Sequence, residues 1–149
     1  MISFGATATL QGNVSAPSST PSVRWKSYSG PGAVTFGTAS QASTTASFSL
    51  PGTYILVLSA DDGVHAVAYD AATINVVLTA EGVISADDFL VRFPTLAGRM
   101  YRVEWSADLA SNSWEIFGNS FVGNGGPMEI ADSGALSLPR RFYRVTILP

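Results

Sequence analysis

The chain reads as all-β, two small β-sandwiches in tandem, and three observations predict this. Apolar and polar residues alternate with a period of two in many short runs, as in Val23-Arg24-Trp25-Lys26 and Tyr101-Arg102-Val103-Glu104-Trp105. Turn-forming clusters separate these runs, among them Ser29-Gly30-Pro31-Gly32, Asp61-Asp62-Gly63 and Gly123-Asn124-Gly125-Gly126. No long stretch carries helical periodicity, and Thr, Ser, Ala, Val and Gly dominate the composition.

In the first half, Ala6–Leu10 is the expected opening strand, and the Ser- and Pro-rich run Asn13–Pro21 a loop. Val23–Tyr28 follows as a strand with Val23 and Trp25 inward and Arg24 and Lys26 outward. Val34–Phe36 and Thr44–Leu50 are further strands. Tyr54–Ala60 has the strongest strand pattern, with Tyr54, Leu56 and Leu58 on one side and Ile55 and Val57 on the other. Asp61-Asp62-Gly63 is expected to close it as a hairpin turn, and Val64–Leu78 to return as one long strand bent near Asp70. A tryptophan in a middle strand and a tyrosine opening a late one are the anchors of an immunoglobulin-like sandwich.

Glu81–Asp87, short and polar, reads as a linker between domains at 1–80 and 88–149. Beyond it, Phe89–Phe93, Tyr101–Ser106, Trp114–Phe117, Pro127–Ala131 and Arg140–Leu148 carry strand patterns, with Tyr143, Val145 and Ile147 sharing a face. About six strands are enough for a second small sandwich. The halves do not repeat each other.

Composition narrows the function classes. With 149 residues, 46% hydrophobic and 13% charged, the chain can bury a core and is not a disordered one. Eight basic residues form no run and the net charge is −3, which argues against nucleic-acid binding. The absence of cysteine excludes disulfides and thiolate metal sites. No apolar run is long enough for a membrane-spanning helix. Residues 1–15 lack the pattern of a signal peptide, so Met1 could open an excised fragment or an intact small protein.

The segments around Trp25, Ser29–Gly32, Val34–Phe36, Thr44–Phe48, Pro51–Tyr54 and Ala60–Gly63 together resemble the PKD-like branch of the immunoglobulin-like folds, over about residues 6–78. That resemblance implies an extracellular, non-catalytic domain that spaces other domains or binds matrix and carbohydrate in large bacterial surface proteins and secreted enzymes. The loop Gly12–Pro21 departs from the family pattern in carrying no acidic residue. The second half, through Gly98–Ser106, Asp108-Leu109, Trp114 and Arg141–Val145, resembles a short C-terminal β-module of secreted proteins of environmental bacteria. This implies location rather than chemistry.

Flat aromatic rings can stack on the C–H faces of sugars. Trp114, beside the polar Asn112-Ser113, is the leading candidate for such a contact, with Trp105 and Tyr101 behind it. Tyr101 and Trp105 share a strand face with Val103, a pattern that equally describes core. Trp25 and Tyr54 are expected as core and corner residues. Asp61, Asp62 and Asp70 could gather about a calcium ion, which takes six to eight oxygen ligands, or could simply serve a solvated turn. Asp87 and Asp88 form a second, weaker pair. Otherwise no cofactor is expected.

His65, the only histidine, reads as a surface residue. No Gly-x-Ser-x-Gly, HExxH or P-loop motif occurs, and nothing selects a carboxylate pair for hydrolysis. Lys26, the only lysine, falls on the face opposite Trp25 and so is unsuited to an isopeptide crosslink. Glu104 is expected to make exposed pairs with arginines.

The expectation is thus a non-catalytic, secreted or cell-surface binding or adhesion module. Its partners would be a polysaccharide or matrix and neighbouring domains of a parent protein. The alternative is a structural spacer, or a subunit of an extracellular filament or virion surface, associating with copies of itself through open sheet edges.

Overall fold

The computed structural model describes residues 1–16 and 20–149. The expected loop Asn13–Pro21 therefore lies partly outside the described residues. The chain is all-β and divides into two compact units, Met1–Val77 and Leu78–Pro149. Among the described residues no helix is long and apolar enough to cross a membrane.

The described residues of the first unit form seven strands: β1 (Ile2–Ser3), β2 (Ala8–Gln11), β3 (Ser22–Ser29), β4 (Val34–Phe36), β5 (Ser43–Phe48), β6 (Gly52–Asp61) and β7 (Ala68–Val77). They form a four-stranded sheet in the order β1-β7-β6-β3 and a three-stranded sheet in the order β2-β5-β4. Both sheets contribute to one core. Leu10, Ala46 and Phe48 come from the smaller sheet, and Trp25, Tyr54, Leu56, Leu58 and Val76 from the larger. The alternating residues of β5 and β6 account for this, because one side of each strand is buried: Thr44, Ala46 and Phe48 in β5, and Tyr54, Leu56 and Leu58 in β6. Trp25 also ties the sheets polarly, its Nε1 donating to the Ala42 carbonyl at 3.1 Å. The Tyr54 hydroxyl donates to the Leu50 carbonyl at 2.8 Å, which is the structural corner expected of it. Lys26 is exposed on the outer face of β3.

Two expectations for this unit are corrected. Asp61-Asp62-Gly63 does not close a tight hairpin. The return strand starts only at Ala68, and Val64 is 80% exposed in the intervening loop. The cause is local: Asp62 Oδ1 accepts the backbone N–H groups of Val64 and His65, holding the chain in a turn where it would otherwise extend. Nor is the pairing of β7 interrupted at Asp70. Its register with β6 runs unbroken from Gly52↔Val76 to Ala60↔Ala68. The short β1, parallel to β7, was not foreseen from the sequence.

The second unit contains β8 (Glu81–Ser85), β9 (Asp88–Pro94), β10 (Met100–Ser106), β11 (Glu115–Val122), β12 (Pro127–Asp132) and β13 (Phe142–Leu148), with one 3-10 turn at Ala135–Ser137. The sheets are β12-β9-β8 and β11-β10-β13. Glu81–Asp87 is therefore not a linker: Glu81–Ser85 pairs antiparallel with Asp88–Arg92 as a hairpin. Its polarity is that of an exposed edge strand. The core joins Val91 and Phe93 of β9 to Tyr101 and Val103 of β10. Phe93, Tyr101 and Phe121 form an aromatic cluster with centroids about 6 Å apart.

Candidate functional site

The two open tryptophans of the second unit are each held under an arginine. Arg144 on β13 lies over the Trp114 ring at 4.3 Å from its centroid, and Arg141 lies over Trp105 at 4.1 Å. Both rings are half-buried. Behind each arginine stands a buried carboxylate, and these two acids organise the surface.

Glu104 occupies the outward side of β10, yet it is only 5% exposed. Its Oε2 accepts from Arg144 Nε at 2.7 Å and from Thr146 Oγ1 at 3.2 Å, and its Oε1 pairs with Arg102 at 2.9 Å. The Arg144 hydrogen bond holds its carboxyl below the usual carboxylate range against the opposing effect of burial. The expected exposed ion pair is thus corrected to a buried carboxylate clasped by two guanidinium groups. The register makes this possible, since Glu104 sits directly opposite Arg144.

Asp132, at the end of β12, is 4% exposed. Its Oδ2 receives Arg141 Nη1 and the Tyr143 hydroxyl, the latter at 2.7 Å, and Oδ1 receives the Gly134 N–H at 3.2 Å. Burial pushes its carboxyl up, but these donors outweigh burial and leave it lowered. Burial and the adjacent carboxylate push the Tyr143 hydroxyl up to about 12. Arg141 is raised, its pairing with Asp132 outweighing burial.

Tyr101 is removed from the candidate sugar contacts. Its ring is fully buried, stacked on Phe121, and its hydroxyl accepts the Leu96 N–H at 2.8 Å. It serves the second unit much as Tyr54 serves the first. Sequence reading missed Glu104 and Asp132 as anchors. The available signal was arginine at Arg102 and Arg144 in strands that also carry aromatic residues, with Arg141 just before the second of them.

In the first unit, Asp62 and Asp70 line one groove together with His65. The acids do not assemble as calcium ligands. Asp62 Oδ2 contacts His65 Nδ1 at 2.7 Å, Asp61 Oδ1 accepts Gly63 N–H, and Asp70 Oδ1 accepts Ala71 N–H. Among the described residues no group of three or more histidine or acidic side chains is placed to hold a metal ion. Hydrogen bonding to the His65 backbone is the main cause of the lowered Asp62 carboxyl. Among the described residues no nucleophile lies at hydrogen-bonding distance from the Asp62–His65 pair, which clasps the turn through the His65 backbone and ring.

Comparison with known proteins gives one family. The family described as K319L-like, PKD domain, matches residues 2–76, which is the first unit but for its ends; the match does not extend into the second half. No curated protein and no solved structure matches the chain.

Proposed function

Because the chain belongs to the K319L-like PKD domain family through residues 2–76, we propose that it is a non-catalytic binding region of a larger secreted or cell-surface protein. The ligand class is polysaccharide or extracellular matrix, held close to the neighbouring domains of the parent protein. The contact surface is centred on Trp114. One observation carries this reading: a buried carboxylate, Glu104, locks the Arg144 guanidinium over the Trp114 ring while the Arg144 side chain remains 48% exposed. A flat ring next to a fixed donor suits a sugar, which offers C–H groups to the ring and hydroxyls to the guanidinium. Trp105, under Arg141 and beside Asp132, repeats the arrangement and is the secondary contact.

A glycan-array screen of the full chain tests the reading. Binding that is lost in Trp114→Ala, with the fold retained by circular dichroism, supports it. Absence of binding on every glycan, or binding unchanged in Trp114→Ala, overturns it. In that case the spacer reading takes its place, with the arginine-covered rings acting as structural clasps; the chain should then stay monomeric and bind no glycan.

A further inference from the structure

We propose that the free edge of β7 and the groove beside it form a docking site for an extended peptide strand carrying a basic side chain. The inference concerns the first unit and stands whether or not Trp114 binds a glycan.

Among the described residues the edge is unpaired for most of its length. β7 pairs with β6 on one side throughout, but on the other, among the described residues, only Val76 and Val77 meet a strand, β1. Phe4 N–H donates to the Val77 carbonyl across that edge. A strand turns its backbone groups to alternate sides, so Tyr69, Ala71, Thr73 and Asn75 direct theirs to the same edge as Val77. Among the described residues the Ala71 N–H has one partner, the neighbouring carboxylate of Asp70 at 2.8 Å. An added strand collinear with β1 would supply the missing ladder.

The groove beside this edge has a volume of about 660 Å³. One wall is the run Ala68–Ala72 and the other the run Gln11–Ala16, with Trp25 and Leu58 at its base. Register puts Asp70 in one row with Leu58 and Trp25, so it lies on the inner side of the sheet. Along that side burial fades from Val76 through Ile74 and Ala72 to the exposed Asp70 and Ala68. The space exists because small residues occupy positions where a closed sandwich would place large ones.

Charge selects the occupant. The groove carries Asp62 and Asp70, and no lysine or arginine is among its described walls. Asp62 is committed to His65, which leaves Asp70 to meet the ligand. A strand in register with β7 points every second side chain into the groove, opposite Ala68, Asp70 and Ala72. The complementary pattern is apolar, basic, apolar. A second copy of β7 would bring its own Asp70, so the inward carboxylate disfavours self-pairing.

The test is an amide chemical-shift titration of the full chain with the peptide Thr-Val-Thr-Lys-Thr-Val-Thr and its Glu-for-Lys counterpart. The lysine peptide is expected to shift the amides of Tyr69, Ala71, Thr73 and Asn75 and to bind up to roughly fivefold more tightly than the glutamate peptide, the scale of a partly exposed ion pair. Asp70→Asn, which keeps an acceptor for the Ala71 N–H, should abolish that preference. Ala71→Pro, which removes an edge donor, should abolish binding. Equal binding of both peptides, shifts confined to other residues, or no peptide binding overturns the proposal. Shifts of the groove amides by a neutral oligosaccharide instead would also overturn it and assign the groove to glycan.

Discussion

The Tyr54 ring lies directly against the backbone of Gly30: a Cβ at that glycine would stand 2.1 Å from Tyr54 Cδ1 and 2.6 Å from Cε1. The glycine is thus required by contact with the buried ring that anchors the first core. Gly30→Ala is expected to destabilise the first unit by about 1–3 kcal/mol, the usual cost of overpacking. Chemical denaturation followed by tryptophan fluorescence measures it; an unchanged midpoint would show that the ring can move aside.

Removing the corner hydroxyls should cost less. Tyr54→Phe leaves the Leu50 carbonyl without its donor, and Tyr101→Phe leaves the Leu96 N–H without its acceptor. Each is expected to cost about 1–2 kcal/mol. Thermal melts of the two variants check this, and a variant as stable as the parent would assign that hydroxyl no structural part.

Much of this architecture was legible because it rests on period. The alternation in β6 and β10 identifies the inward residues from sequence alone, and Trp25, Tyr54, Leu56 and Val103 are all buried. What was not legible depends on partners distant in sequence. Val64 and Val67 look like strand residues, yet both are exposed, and the Asp62 carboxylate holds Val64 and His65 in a turn before the strand begins. Glu81–Ser85 lacks an apolar pattern because it is an exposed edge, so its pairing with β9 leaves little local trace. Tyr101 and Trp105 share a face, but one is core and the other lies under Arg141. Glu104 is buried only because β13 brings Arg144 alongside from 40 residues away.

Glu104→Ala is therefore expected to be among the most damaging changes in the second unit. It strands two guanidinium groups, one of them with its Nε buried and unpartnered already among the described residues. A loss of about 1–3 kcal/mol is expected, because the stranded guanidinium groups keep part of their access to water. Arg144→Ala should cost less in stability but release Trp114, seen as a change in near-ultraviolet circular dichroism. If Glu104→Ala melts with the parent, the clasp is only an exposed ion pair.

Acid and alkali should act on the second unit through different groups. Glu104 and Asp132 are lowered in the fold, so their contribution is present above the ordinary carboxylate range and is lost as pH falls through their folded values. Tyr143 is raised to about 12, so its contribution is present below the ordinary phenol value of 10 and is lost as pH rises from there towards 12. Stability against pH, with phenolate absorbance on the alkaline side, checks both limbs. In Asp132→Asn the acid limb should shrink and the late phenol should titrate earlier; an unaltered phenol titration would separate Tyr143 from Asp132.

Calcium should leave the melting temperature unchanged, because Asp61, Asp62 and Asp70 each accept backbone or histidine donors and do not converge. A rise in melting temperature that saturates with calcium would return these acids to a metal role.

β3 holds the only two tryptic sites of the first unit, Arg24 and Lys26, on either side of buried Trp25. A protease needs several residues of extended, detached backbone, and here that means pulling the tryptophan from its place between the sheets. Scission after either residue therefore reports opening of the whole first core rather than fraying at a loop, which gives a direct clock for its unfolding.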